Sequence, residues 1–135
     1  MFMKKLFVSL IFITCFLYSL VLPQKKEAGK SPCIGNETQS GANACARYKH
    51  EQANAAMNRV YLQLMSELAG FDGKDQEKLK QAQMLWLQYR DSNCESEASI
   101  YEGGSIRPAI YSHCLASMTQ ERTRRMKAFL AEVKM

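Results

Sequence analysis

Five cysteines and two histidines are the side chains of this 135-residue chain best suited to nucleophilic or metal chemistry. Eleven residues separate Cys33 from Cys45 and nineteen separate Cys94 from Cys114, so the close C-x2-C pairs of a zinc site are missing. The sequence also has no G-x-S-x-G, H-E-x-x-H or phosphate-binding glycine loop. We therefore predict no catalytic residue, no metal and no cofactor, and we expect that the protein is not an enzyme.

The N-terminus has the composition of an export signal. Lys4 and Lys5 precede an uncharged apolar run of 17 residues over positions 6–22. This order is typical of a secretory signal peptide, and the run is also close to the shortest length that spans a bilayer. We interpret residues 1–22 as a signal peptide or membrane anchor and residues 23–32 as a flexible basic linker. The protein is expected to be periplasmic or secreted, or held at the membrane if the segment is not cleaved.

The net charge of +5 is concentrated in the same region. Residues 1–30 contain five lysines and one glutamate, which leaves 13 basic and 12 acidic residues for the rest of the chain. A nearly neutral domain lacks the basic surface with which proteins bind nucleic acid. We expect a protein partner and no nucleic acid, with membrane contact only through an uncleaved N-terminal segment.

The cysteines outside the signal form an even set once Cys15 is assigned to the apolar run. An even count in a small exported domain indicates disulfides, and four cysteines allow three pairings. The sequence alone does not choose among them. We favour the pairing in which each bridge brackets one turn-rich segment, which is Cys33 with Cys45 and Cys94 with Cys114.

Three segments have apolar residues at the 3–4 spacing of an amphipathic helix, and none alternates with the period of a strand. The first segment covers residues 43–69, Asp75 is a candidate cap for the second, and Pro108 suits the first turn of the third. Short connections make consecutive helices antiparallel neighbours. We predict one all-α domain over residues 33–135, a three-helix antiparallel bundle or a hairpin with a third helix laid on it, stapled by two disulfides.

The apolar stripes of these helices predict the core. In the first helix the stripe is Met57, Val60, Tyr61, Leu64, Met65 and Leu68. In the second it is Leu79, Ala82, Leu85, Trp86 and Tyr89. In the third it is Tyr111, Leu115, Met118, Met126, Phe129, Leu130 and Val133.

Three polar residues fall on or beside these stripes, namely Asn58, Arg90 and Arg122. A buried guanidinium needs a partner, because isolated burial of a charge costs several kcal/mol. We expect an internally satisfied network between helices, or arginine stems that extend along the core to water, and the alternative is an anion-binding site. The carboxylates available for pairing include Glu51, Glu67 and Asp91.

One pattern covers nearly the whole chain after the signal, and it consists of Cys33, Cys45, Ala53, Met57, Asn58, Tyr61, Gln83, Trp86, Tyr89, Arg90, Asp91, Cys94, Gly103, Gly104, Ser105, Cys114, Thr119 and Arg122. This pattern resembles the LprI-like lysozyme inhibitor family. Two departures are Asn54, where the family usually carries Asp, and Met57, where Leu is usual. The resemblance implies a small exported, disulfide-linked helical domain of the bacterial envelope that inhibits lysozyme-type glycosidases by direct protein–protein contact.

Part of this motif is expected to specify the bundle rather than to contact an enzyme: Asn58, Tyr61, Trp86, Tyr89, Arg90, Asp91 and Arg122. The candidate for partner contact is the loop over residues 102–107, where Ser105 or Arg107 would meet the carboxylate pair of a glycosidase cleft while Gly103 and Gly104 permit close approach. The simpler interpretation of this loop is a connector. The alternative function is a structural or adaptor protein of the envelope without inhibitory activity.

Overall fold

The computed structural model describes residues 31–35 and 37–135. The predicted signal or anchor, and the linker as far as residue 30, lie outside the described residues. The described part contains three helices, α1 (Gln39–Leu68), α2 (Gly73–Ser99) and α3 (Arg107–Val133), and no strand. The predicted all-α antiparallel bundle is confirmed.

Local chemistry sets where the helices begin. Thr38 caps α1, its hydroxyl accepting the Gly41 amide at 3.1 Å, so the helix starts earlier than the predicted residue 43. Asp72 caps α2 through the Lys74 amide at 3.2 Å, and the predicted cap Asp75 lies instead in the first turn. Carboxylates at either position offset the positive end of the helix dipole. Pro108 lies at the start of α3, as predicted.

The core lies mainly between α1 and α3, which pack most extensively, whereas α2 contacts chiefly α3 and touches α1 only sparsely. Leu64 is fully buried at its centre. The α1 stripe is confirmed, with Tyr61 and Met65 half-buried against it. The buried cluster consists of Met57, Val60, Leu64, Leu68, Leu79 and Met126.

The predicted stripe of α2 is wrong at Ala82, Leu85 and Tyr89. Leu85 and Tyr89 are 55% and 61% exposed, and Ala82 is also exposed. Trp86 is half-buried and packs on the edge of the core. The face that α2 buries instead consists of Leu79, Gln83, Arg90, Cys94 and Ala98. Two of these five are polar, so a pattern sought in apolar residues alone cannot find the face.

Both predicted disulfides are present, with Cα–Cα distances of 4.7 Å for Cys33–Cys45 and 5.5 Å for Cys94–Cys114. The antiparallel order places the start of α1, the end of α2 and the start of α3 at one end of the bundle. We call this the disulfide end, formed by residues 33–35, 37–45 and 94–114. The opposite end, where α1 and α3 finish and α2 begins, is called the open end.

The contrast between two leucines of α1 tests the core. Leu64 is fully buried and Leu62 is 65% exposed. Replacing a buried leucine by alanine removes packing contacts and leaves a cavity, so Leu64→Ala should lower the free energy of unfolding by about 2–5 kcal/mol. Leu62→Ala should change it by about 0.5 kcal/mol or less. Denaturant unfolding of both variants measures the difference, and equal effects would contradict the assigned face of α1.

Candidate functional site

Arg90 joins the three helices through its guanidinium. The side chain is buried, with 7% of the residue exposed. Its Nη1 donates to the Asn54 Oδ1 on α1 at 3.1 Å and to the Thr119 Oγ1 on α3 at 3.2 Å. Its Nε and Nη2 contact the Asp91 carboxylate at 2.8 and 2.7 Å. Such bonds offset the desolvation of a buried charge, so the predicted internally satisfied network is present.

Trp86 lies between two arginines. The guanidinium carbons of Arg90 and Arg122 are 5.3 and 5.6 Å from the centre of its ring, which is cation–π distance. Arg122 donates from Nε to the Gln83 Oε1 at 3.0 Å, and the buried Gln83 amide donates to the Met57 sulfur at 3.4 Å. This second chain of contacts ties α3 to α1 through α2.

The two arginines differ in how their charge is balanced. Arg90 pairs with Asp91, one of the three carboxylates expected, whereas Glu67 pairs with Lys134 at 3.2 Å. Arg122 forms no ion pair with any residue of the described part of the chain. Burial, and then the nearby Arg125, lower the pKa of Arg122 below its ordinary value. Of the two expected solutions, Arg90 shows the carboxylate pair, whereas Arg122 is half-buried and bonds to the Gln83 amide.

Two residues of the predicted core motif lie at the surface. Asn58 is exposed because it follows Met57 on the outer side of α1. Tyr89 is exposed because α2 turns its Gln83–Arg90 face inward. Tyr61 and Trp86 are half-buried, and the carboxylate of Asp91 is half-exposed while it holds Arg90.

His50 extends the network along α1. Its Nε2 lies 2.9 Å from the Asn54 Nδ2. Because the Asn54 oxygen accepts from Arg90, its amide nitrogen is free to donate to a neutral imidazole. Burial, and then the charge of Arg90, lower the pKa of His50 below the ordinary value of 6.5. The site therefore favours the uncharged ring.

The candidate loop after α2 is held by its own backbone and side chains. Gly103 has φ +76°, and a Cβ on Gly104 would lie 3.0 Å from the Tyr101 carbonyl oxygen, so both glycines are required by the turn. The Asn43 Nδ2 donates to the Ser105 carbonyl at 3.0 Å, which ties the loop to α1.

Arg107 is only partly exposed and forms ion pairs with Glu95 and Glu102, the latter at 2.7 Å. Both carboxylates belong to the same end of the bundle. The guanidinium is therefore ion-paired within the protein, although its Nε makes no hydrogen bond, and it positions the loop on the end of α2.

The disulfide end also carries apolar side chains that the sequence reasoning missed. Ile34, Ile100 and Ile106 are 70%, 79% and 42% exposed, and Tyr101 is 38% exposed. In the sequence, the pattern that indicates these exposed side chains is the occurrence of isoleucines in turns, outside any helical stripe. Large apolar side chains exposed together on a rigid support are a feature of contact surfaces.

Other kinds of site have no support in the described residues. Residues 31–35 and 37–135 contain no cluster of three or more His, Cys, Asp and Glu side chains placed to hold a metal ion. None of the three helices is long and apolar enough to cross a membrane.

Comparison with known proteins agrees with this architecture. Residues 32–126 match the family described as Lysozyme inhibitor LprI. The chain belongs to this family. The LprI match includes both disulfides, the Arg90 network and the loop after α2.

Two relatives extend the comparison. An uncharacterized protein of Rhizobium meliloti (strain 1021) is 29% identical over 118 residues, which covers 80% of this chain and 85% of that protein. The crystal structure of a DUF1311 family protein from Pseudomonas putida KT2440 is similar with a TM-score of 0.64 at 21% identity, covering 70% of this chain and 96% of that one. The second likeness shows that the LprI member described here shares its fold.

The pKa of His50 predicts a pH dependence of stability. The unfolded chain takes up a proton first as the pH falls, because its histidine has the higher pKa. The stabilising contribution is therefore complete above pH 6.5 and is lost as the pH falls through 6.5 toward the folded-state pKa. Thermal melts at pH 7.5 and 5.0 should show a smaller loss of stability in His50→Gln than in the unaltered chain. His113→Gln, at an exposed histidine, is the control and should lose as much stability between pH 7.5 and 5.0 as the unaltered chain.

An acid at position 54 should raise the pKa of His50, opposite to the direction in the unaltered chain. In Asn54→Asp a carboxylate would lie where the amide now meets the ring at 2.9 Å, and it would stabilise the imidazolium. The pKa of His50, followed by NMR titration of the imidazole, should be higher than in the unaltered chain. An unchanged or lower value would show that residues 50 and 54 are not in contact.

Proposed function

We propose that this protein is an exported inhibitor of lysozyme-type glycosidases that acts by direct protein–protein contact and has no catalysis of its own. Membership of the LprI family is the observation that carries the proposal. The two disulfides support export, because such bonds persist in oxidising compartments. The described domain is nearly neutral, so shape and local contacts rather than net charge would select the partner.

The disulfide end is the surface best suited to enter a glycosidase cleft. A cleft demands a narrow, preorganised projection, because ordering a flexible loop on binding lowers affinity. The loop over residues 102–107 is held by Cys94–Cys114 and by the Asn43 bond to Ser105. Ile100, Tyr101 and Ile106 would supply the apolar contact area around it.

Within this loop the roles differ from one residue to the next. Gly103 and Gly104 present bare backbone at the turn, and the Ser105 hydroxyl is the group we assign to the catalytic carboxylates of the glycosidase. Arg107 is a positioning residue, because its charge is already engaged by Glu95 and Glu102.

An adaptor role is the second candidate, and a separate surface favours it. Met84, Leu85 and Tyr89 are each more than half exposed and follow one another on the outer face of α2. Exposed aromatic and aliphatic side chains at helical spacing are typical anchors for a protein partner. This face lies on the side of α2 and is distinct from the loop at the disulfide end.

A lysozyme activity assay with matched variants tests the inhibitor proposal. Ile100→Asp places a charge on the most exposed isoleucine of the disulfide end and should weaken inhibition about tenfold or more. Leu62→Asp, at a comparably exposed leucine of α1, is the control and should inhibit like the unaltered chain. Equal potency of the two variants would exclude the disulfide end as the contact surface.

The same assay separates the two functions. Loss of inhibition in Leu85→Asp, with Ile100→Asp unaffected, would move the contact to the α2 face. No slowing of lysozyme by the unaltered oxidised chain would refute inhibition and leave the adaptor role. The double variant Cys94→Ser with Cys114→Ser should inhibit more weakly because it frees the loop, and it avoids exposing lysozyme itself to a reductant.

A further inference from the structure

A groove of about 570 Å³ runs between α2 and α3 at the open end. Its walls are mainly apolar, and they include Leu79 and Met126 from the core together with Ala82. Phe71 and Phe129 flank it and are 58% and 40% exposed. The volume is within the usual range for a small-molecule site, roughly 300–1,000 Å³.

The charge beside this groove is uneven. Asp75 lines it but is held by Lys78 at 2.9 Å. Arg122 lines the other side and has no ion pair in the described residues. Arg125 lies beside it, and its Nε is 3.9 Å from Glu121, which also binds Arg124. Two arginines therefore line an apolar groove, Arg122 without an ion pair in the described residues and Arg125 with only the contact to Glu121, a carboxylate that Arg124 shares.

The arginines also limit the length of the groove. Arg122 and Arg125 line both this groove and the next depression along α2 and α3, which contains Trp86, Tyr89 and Glu121. The two arginines therefore lie between the groove and this depression. A partner helix laid along α2 and α3 would have to cross both guanidinium groups, whereas a single acyl chain can end at them.

We propose that the groove binds a single-chain amphiphile with a carboxylate head, such as a medium- or long-chain fatty acid. The acyl chain lies against Phe71, Leu79 and Phe129, and the carboxylate is bound by Arg122 and Arg125. Planar guanidinium groups suit carboxylates, with which they form paired charge-assisted hydrogen bonds. The proposal is independent of lysozyme inhibition, because it concerns the opposite end of the bundle.

The chain contains its own reporter for this site. Trp86 is the single tryptophan, and the guanidinium carbon of Arg122 lies 5.6 Å from the centre of its ring. A carboxylate bound to Arg122 would change the polar environment of the ring. Titrating dodecanoate, below its micelle concentration, into the full chain should give a saturable change in tryptophan fluorescence and a matching calorimetric isotherm.

Two control ligands test the contributions of the carboxylate head and of the acyl chain separately. Dodecyltrimethylammonium has the same chain with the opposite charge and should bind at least about tenfold more weakly, because the arginines repel it. Acetate has the head without the tail and should give no saturable change at the same concentrations. Equal binding of the cationic amphiphile would overturn the proposal. So would binding of an acidic amphipathic peptide in the absence of dodecanoate binding.

Three variants test the location. Ala82→Phe fills the groove from an exposed position and should abolish dodecanoate binding without lowering the melting temperature. Arg125→Gln removes one guanidinium and should weaken binding about fivefold. Lys127→Gln removes the same charge from α3 outside the groove and should leave binding unchanged. Dodecanoate affinity that is unaltered in Ala82→Phe, with its fold intact by circular dichroism, would refute the site.

Discussion

The burial of one guanidinium governs how this bundle is assembled. Arg90 lies where the three helices meet, and an uncompensated charge there would cost several kcal/mol. Its donors reach Asn54 on α1 and Thr119 on α3, while Asp91 balances the charge from α2 itself. Because each bond has a fixed direction, the helices cannot slide or rotate past one another without leaving a buried donor unpaired. The network thus sets the register that apolar packing alone leaves loose.

The two ends of the bundle are held together by different interactions. At the disulfide end, two covalent bridges and the Asn43–Ser105 bond hold the helix starts and the loop together. At the open end, α2 is joined to α1 by a short turn, which is supported by the Gln76 amide donating to the Met65 carbonyl at 2.7 Å. The first end is suited to rigid recognition, and the second leaves room between α2 and α3. The two proposed binding surfaces follow from this difference.

The sequence was sufficient for the helices and the core of α1, because these depend on local spacing, and the cysteine count indicated two disulfides without deciding their pairing. It failed on α2 at Gln83, which occupies a buried position that the apolar pattern did not assign to the core, whereas Arg90 was expected to be buried and bonded. Their burial depends on Met57, Asn54 and Thr119, which lie 26 to 36 residues away along the chain. The prediction also placed Tyr89 on the buried face of α2. Because the face with Gln83 and Arg90 turns inward, the face that carries Tyr89 turns outward. The sequence also did not predict the ion pair of Arg107, because this pair requires Glu95 to lie across the turn.

The motif residues of α2 differ in whether they take part in the buried network or lie at the surface. Gln83, Trp86, Arg90 and Asp91 all take part in the network, so packing and charge balance account for their presence. Tyr89 belongs to the same run of sequence but is 61% exposed. A large aromatic side chain gains little from contact with water, and aromatic residues at surfaces are enriched where proteins meet partners. Tyr89 also borders the depression that contains Trp86 and Arg122. Of the five motif residues between Gln83 and Asp91, Tyr89 is therefore the one whose presence the network does not explain.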